Sequence, residues 1–269
     1  KKLKKRFIIP AVVFILGMCA LIGAIYVVGK SQEQQNRTNA KLNAMTYTER
    51  IYGELMEGIG VTDTLKQVVI SGDGNINKFY DIAENMMDDS IQSIQIAPNG
   101  VVNEIYPEDL NESGKIDLIN DSDRGEISRY ARDNDTVIMQ GPFELKQGGY
   151  GIAVRNPVYL EDENGKKSFW GFTIVILKVP EIFSHSVEAL SNFGYKYSLQ
   201  KCALPWDDTY EWVYGSKKEL NDPVIYDFDV YGGKWRLEIL PKRGFYNNNY
   251  LIYMFIGGVI IVLLLTGLT

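Results

Sequence analysis

Histidine and cysteine are almost absent from this 269-residue chain: His185 stands alone, and the two cysteines are Cys19 and Cys202. A tetrahedral zinc site needs several such ligands, so one histidine and one distant cysteine cannot build it. No serine or cysteine motif lies near His185, which leaves nucleophilic catalysis without its usual base and argues against an enzyme. Cys19 falls in an apolar run, so Cys202 has no disulfide partner in the polar part of the chain. Stability there must come from packing. His185 itself reads as a surface residue on a helix after Pro180.

Charge is missing from two long runs, Phe7–Val28 and Tyr250–Leu268. Roughly 20 apolar residues cover the hydrocarbon core of a bilayer, so both runs read as transmembrane helices. Lys1, Lys2, Lys4, Lys5 and Arg6 crowd the start of the first run, and basic residues stay cytoplasmic, which puts the middle of the chain outside. A cleaved signal peptide has a shorter apolar stretch, about 7 to 15 residues, and a small-x-small site. Here Ala20–Ala24 continues into Tyr26, Val27 and Val28, so the run reads as a retained anchor. The expectation is a two-pass inner-membrane protein with residues 30–249 extracytoplasmic and the lipid bilayer as one partner. The chain opens without Met and stops at Thr269, and it reads as a fragment whose output module follows the second span.

Basic residues are the minority between the runs: residues 30–249 carry 23 basic and 34 acidic side chains. An acidic surface repels phosphate backbones, which excludes nucleic acid as a partner.

Periodicity divides this middle part. Leu42, Met45, Ile51, Tyr52, Leu55 and Ile59 recur near helical spacing and predict a helix continuing out of the membrane, a stalk suited to a homodimer. A second helix is expected over 78–89 with Asn77 as its cap. Ile94 and Ile96 alternate with polar residues ahead of Asn99-Gly100, which predicts a hairpin. A helix over 123–133, capped by Ser122 or Asp123, precedes strands at about 137–140, 150–160 and 168–178. Pro180 opens a helix to about Leu190. Strands follow at 195–202, 211–214, 224–230 and 234–240, with Gly232-Gly233 as the last turn. The expected boundaries are a basic tail at 1–6, a first span at 7–29, a stalk at 30–75, a membrane-distal lobe at 76–192, a proximal lobe at 193–249 and a second span at 250–269.

Two motifs are decoys. Asp73, Asn75, Asn77 and Glu84 have the oxygen spacing of a calcium loop, but Lys78 stands where the sharp turn needs glycine, so no metal site is expected. Gly148-Gly149-Tyr150-Gly151 lacks a following Gly-Lys-Ser/Thr and lies between strands, which suits a turn or close packing better than a phosphate cradle. Arg155 is different, because it sits in the apolar strand YGIAVRNPVYL. A cation there needs either a carboxylate such as Asp123 or Glu126, or an anion from a ligand. Phe143, Tyr150, Tyr130 and Trp170 supply either walls around it or core.

In order and spacing, the stretches IQIAPNGVVNEIYP, NESGKIDLIND, DRGEISRYAR, GPFELKQGGYGIAVRNPVY and FWGFTIVILKVPEIF resemble the CHASE family of extracytoplasmic sensor domains, over about residues 79–190. The resemblance implies an α+β fold: a long N-terminal stalk helix and two stacked PAS-like lobes between two membrane helices, with ligand in the distal lobe. It also implies that an acidic residue before the GPF strand contacts the ligand, which falls on Asp123 or, one position on, Arg124. Backbone after the Pro-Phe pair maps to Leu145 and Lys146, and a polar pocket residue maps to Arg155. Plant cytokinin receptors of this family carry a small hydroxyl residue at that last place. An arginine fork instead suits a carboxylate or phosphate. The expected ligand-binding set is Asp123, Arg124, Tyr130, Phe143, Leu145, Lys146, Gly151, Arg155 and Trp170, with a small anionic molecule as partner and no cofactor. The output implied is a histidine kinase or diguanylate cyclase; an anchored envelope binding protein or enzyme, or a chemoreceptor input domain, are the alternatives.

Overall fold

The computed structural model describes residues 2–109, 113–146 and 148–269, and the side chains from residue 7 onward within that range. Asn111 and Glu112 of the NESGKIDLIND stretch, Gln147 and the side chains of the basic tail therefore lie outside the described residues.

The predicted first span and stalk form one continuous helix, α1 (Lys2–Ser71). Its end is a Schellman motif: Asp73 at φ 49° lets Gly74 N–H reach Val69 O at 2.9 Å and Asp73 N–H reach Ile70 O at 3.2 Å. Residues 1–43 and 240–269 make one compact unit, and residues 44–239 make another.

In the first unit, α1 packs antiparallel against α5 (Asn248–Gly267). Small residues set the seam. A Cβ on Gly17 would come within 3.0 Å of Val262, one on Gly258 within 2.2 Å of Leu21, and one on Gly29 within 3.5 Å of Leu251. Such pairs let two apolar helices approach closely. Above them the seam becomes polar: the Tyr246 hydroxyl donates to Glu33 Oε2 at 2.5 Å, Asn36 Nδ2 donates to Phe245 O at 2.7 Å, and the Arg37 guanidinium lies 4.2 Å from the Phe245 ring centre. Hydrogen bonds from Tyr246, then Lys30 and Arg37, hold the Glu33 carboxyl down at about 2. α1 and α5 are both long and apolar enough to cross a membrane.

The second unit has two lobes. The first is an antiparallel five-stranded sheet in the order β2-β1-β5-β4-β3, from β1 (Ile91–Pro98), β2 (Glu104–Tyr106), β3 (Ile138–Glu144), β4 (Tyr150–Glu161) and β5 (Lys167–Val179). Because side chains alternate along a strand, each face has its own inventory. Ile94, Val154, Val175 and Leu177 share one face, which meets α1, where a Cβ on Gly58 would come within 2.7 Å of Leu177; Ile51, Leu55, Ile59, Leu65 and Val69 of α1 are buried. The opposite face carries Ala153, Ile174, Ile176 and Phe172 beneath Ile127 and Ala131 of α3 (Gly125–Asn134). The second lobe is a four-stranded sheet in the order β7-β6-β9-β8, from β6 (Tyr195–Cys202), β7 (Tyr210–Gly215), β8 (Val224–Val230) and β9 (Gly233–Pro241). Trp235 is fully buried there, between Phe183 and Phe228 at ring distances of 6.2 and 6.0 Å.

Several local expectations shift. α2 spans only Phe79–Met86, and its cap position is Lys78, which takes φ 63° and makes no side-chain cap. Neither Ser122 nor Asp123 caps α3; Asp121 Oδ1 instead accepts from the backbone N–H of Asp123 and Arg124, both at 2.9 Å. The helix after Pro180 starts as a 3-10 turn (Glu181–Phe183) before α4 (Ser184–Asn192), with His185 exposed on it. The last hairpin turns at Tyr231-Gly232, where φ is 49° and 74°, one residue earlier than the glycine pair implies.

Gly171 is the tightest backbone approach in the first sheet: it has φ 152°, and a Cβ would lie 2.1 Å from Ala97 O on the neighbouring strand. Gly171→Ala is expected to destabilise the protein by about 3 kcal/mol, because the clash is with backbone and β1 must move. Urea unfolding of the full chain in detergent measures it; a loss below about 1 kcal/mol would contradict this account of the β1–β5 contact.

Candidate ligand-binding cavity

The helical face of the first sheet does not fill completely. A cavity of about 850 Å³ remains between the sheet, the start of α3, Pro107, Glu108, Asp109, Ile116 and Leu118, the end of β3, and Ala203, Leu204 and Glu211 of the second lobe. Strand register writes its floor. One cross-strand row reads Ser93, Ile176, Ala153, Gln140, and the next reads Gln95, Ile174, Arg155, Ile138. Four polar side chains thus stand on an otherwise apolar floor, each held by the pleat of its own strand.

Arg155 dominates that floor. It is 3% exposed, and its Nε and Nη1 have no hydrogen-bond partner among the described residues. Burial, followed by the nearby Arg124 charge, pulls its pKa down to about 9, while Asp121 acts the other way. The group still carries its proton at neutral pH. The two carboxylates considered as its partners do not pair with it. Asp123 Oδ1 accepts from Ser122 Oγ at 3.0 Å, and neither Asp123 nor Glu126 forms a salt bridge with Arg155 among the described residues.

Six of the nine residues expected in the site line the cavity: Asp123, Arg124, Phe143, Leu145, Lys146 and Arg155. Arg124 stands at the rim, bonded to Asp121 at 2.9 Å. Three do not line it. Tyr130 stacks on Trp206 with centroids 4.7 Å apart, and Trp170 packs beside Gly74 past the end of α1. Gly151 lies behind the wall, where a Cβ would press within 2.7 Å of Leu145 and 3.2 Å of Ile176. Sequence reasoning missed Ser93, Gln95, Gln140 and the second-lobe residues Ala203, Leu204 and Glu211. The alternation of Ile94 and Ile96 with polar residues gives the strand but not which face is covered; Ser93 and Gln95 are each only 8% exposed and line the cavity. Among the described residues no three His, Cys, Asp or Glu side chains converge to hold a metal.

No protein-family model matches the chain, and no curated protein matches its sequence. An extracellular ligand binding receptor from Desulfohalobium retbaense DSM5692 superposes with a TM-score of 0.55 at 12% identity, over 75% of this chain and 40% of that one. The two share a fold. The match spans well under half of that receptor's length. Two other solved structures align with lower scores: the ligand-binding domain of the Pseudomonas aeruginosa PAO1 amino acid chemoreceptor PctC in complex with GABA, at TM-score 0.48 and 13% identity over 77% of this chain and 98% of that one, and the periplasmic sensory domain of the Campylobacter jejuni chemoreceptor Tlp1, at 0.49 and 16% over 80% and 97%. The CHASE resemblance is thereby reduced to its coarser content. The chain has an α+β fold with a long N-terminal helix and two lobes flanked by long apolar helices, and the CHASE family itself is not singled out.

Lys201 joins the lobes at the cavity edge. It is 2% exposed, and its ammonium donates to Gly141 O at 3.2 Å and Cys202 O at 2.9 Å. Burial lowers its pKa to about 8, partly offset by its cross-strand neighbour Glu211. A lysine depressed on folding leaves the unfolded chain binding more protons between the two pKa values, so stability rises with pH in that window. Wild type is therefore expected to gain stability relative to Lys201→Met as pH climbs from about 8 to about 10. Paired urea curves across that range check it; a flat difference would show that Lys201 ionises as it does in water.

Proposed function

We propose that this chain is the extracytoplasmic ligand-sensing region of a transmembrane signalling protein, and that it binds a small molecule with an anionic group in the cavity over Arg155. One observation carries this reading: a guanidinium buried on the floor of a cavity, whose Nε and Nη1 have no hydrogen-bond partner among the described residues. Taking such a charge out of water costs several kcal/mol unless an opposite charge and hydrogen bonds replace the solvent. The planar fork of arginine matches a carboxylate or phosphate with two parallel bonds. Evolutionary cheapness would favour a leucine or methionine at this strand position; the arginine has a use when an anion arrives from outside.

The rest of the layout fits. Residues 7–29 and 250–269 span the bilayer, the basic tail at 1–6 stays cytoplasmic, and 30–249 lie outside. Residues 76–192 bind ligand, 193–249 form the second lobe, and the stalk at 30–75 brings two copies together. The fold is shared with a protein named as an extracellular ligand binding receptor, which favours a receptor input over an anchored enzyme. A chemoreceptor tail, a histidine kinase and a diguanylate cyclase are the three outputs that suit such an input. The sequence of the full-length protein separates them.

Arg155→Met keeps an unbranched apolar stem on the strand and removes the charge. In thermal melts of the full chain in detergent, screened against small carboxylates and phosphates, wild type is expected to show midpoint shifts and the variant none. Without ligand the variant should be as stable as wild type or more so by about 1–3 kcal/mol, since an unpaired buried charge has gone. A clear loss of ligand-free stability would overturn the proposal, because it would reveal an internal partner for the guanidinium.

A further inference from the structure

Gln140 lies on the same floor as Arg155 and was not anticipated from the sequence. Its row places it opposite Ala153, two residues before Arg155 on β4, so the two are diagonal neighbours on one face. Diagonal positions in an antiparallel pair lie about 7–8 Å apart, within reach of two long side chains converging on one small molecule. A register shift follows at once between Gln140 and Phe143. At Gly141, φ is 122° and a Cβ would meet Gly151 O at 2.7 Å, so the irregularity depends on glycine. Such bulges re-aim side chains beside binding sites.

The orientation of the Gln140 amide follows from its partner. Nε2 donates to the backbone O of Asp123 at 3.0 Å, and turning the amide over would set oxygen against oxygen. Oε1 is then committed to the other side, where it is buried and has no partner among the described residues. The floor therefore holds a matched deficit: two unsatisfied donors on Arg155 and one unsatisfied acceptor on Gln140. Buried polar groups are paired in nearly all native structures, and each exception asks for a group from elsewhere.

We infer that Gln140 is a specificity-determining residue of this cavity, and that the ligand is a small hydroxy acid whose anionic group lies on Arg155 and whose hydroxyl donates to Gln140 Oε1. This rests on the proposed ligand-binding function. The donor is uncharged for an electrostatic reason. Arg155 is the diagonal neighbour of Gln140 on the floor, and a neutral amide oxygen offers an ammonium group no counter-charge there; the carboxylates of Glu108, Asp109, Asp123, Glu126, Glu144 and Glu211 come from the surrounding walls, not from the floor positions. A hydroxyl needs only the lone pair that Gln140 presents.

The test uses the full chain in detergent and titration calorimetry with matched acids: propionate, lactate and alanine; succinate, malate and aspartate; glutarate, 2-hydroxyglutarate and glutamate, with both enantiomers of each chiral member. In at least one set the hydroxy acid is expected to bind about tenfold more tightly than its parent acid and its amino counterpart, the usual penalty for leaving a buried acceptor unmet. Gln140→Met should erase that preference, and Arg155→Met should abolish binding of all three. The wild-type comparison stands even if the Gln140 variant does not fold. Equal binding of parent and hydroxy acid, both lost in Arg155→Met, would overturn the role of Gln140 and leave the anion-binding function intact. Tightest binding of the amino acid in every responding set would overturn the uncharged donor. Silence from all nine compounds would overturn the hydroxy-acid assignment, and the phosphates and other carboxylates of the wider screen would then decide the function on their own.

Discussion

Strand β4 turns one residue forward and the next one back, and the architecture is arranged around that alternation. Arg155 points into the cavity, while Asn156 points to the opposite face, where its Nδ2 donates to Asp63 Oδ1 at 2.7 Å and its Oδ1 accepts from Lys66 Nζ at 3.2 Å. Thr173, beside Asn156 in the register, donates to Thr62 O at 2.9 Å. A buried cation therefore sits on a strand anchored from behind by the long helix. Without that anchorage the buried guanidinium would drag its strand toward water, since a long side chain moves to solvent whenever its backbone allows.

The cavity owes its walls to the same economy of attachment. α3 contributes Glu126 and Ile127 near its first turn, and just past its other end Asp135 lies 3.7 Å from Lys66 of α1. The Tyr159 hydroxyl donates to Arg132 O and ties α3 to β4 as well. On the far side, the second lobe reaches across through Lys201, the Tyr130–Trp206 stack, and Tyr150 set edge-on to Trp212 at 5.5 Å. Both lobes thus touch the volume over Arg155. Whatever occupies it changes contacts on more than one element, which is the condition for binding to bias a conformational equilibrium.

Legibility in the sequence followed the range of the physics. The apolar runs, the helix through residues 42–59, the positions of the strands along the chain and most turns depend on near neighbours, and they emerged within a few residues of their observed limits. Errors came in two kinds, one-residue choices between neighbours and contacts between distant elements. Asp121, not Ser122 or Asp123, accepts the backbone N–H groups ahead of α3, and the β8–β9 register pairs Val230 with Gly233, which sets the turn at Tyr231-Gly232 one residue before the glycine pair. Trp170 and Tyr130 have the composition of pocket walls, yet one packs beside Gly74 and the other on Trp206.

By itself the sequence determined the helices, the strands, the two apolar segments and the oddity of a cation in an apolar strand, because propensity, period and charge are local properties. Only the tertiary structure decided that Arg155 has no carboxylate bonded to it among the described residues, that Gln140 shares its floor, and that the second lobe closes part of the wall. Those are distances between strands and lobes far apart in the chain. They are set by register and packing, which no single segment encodes.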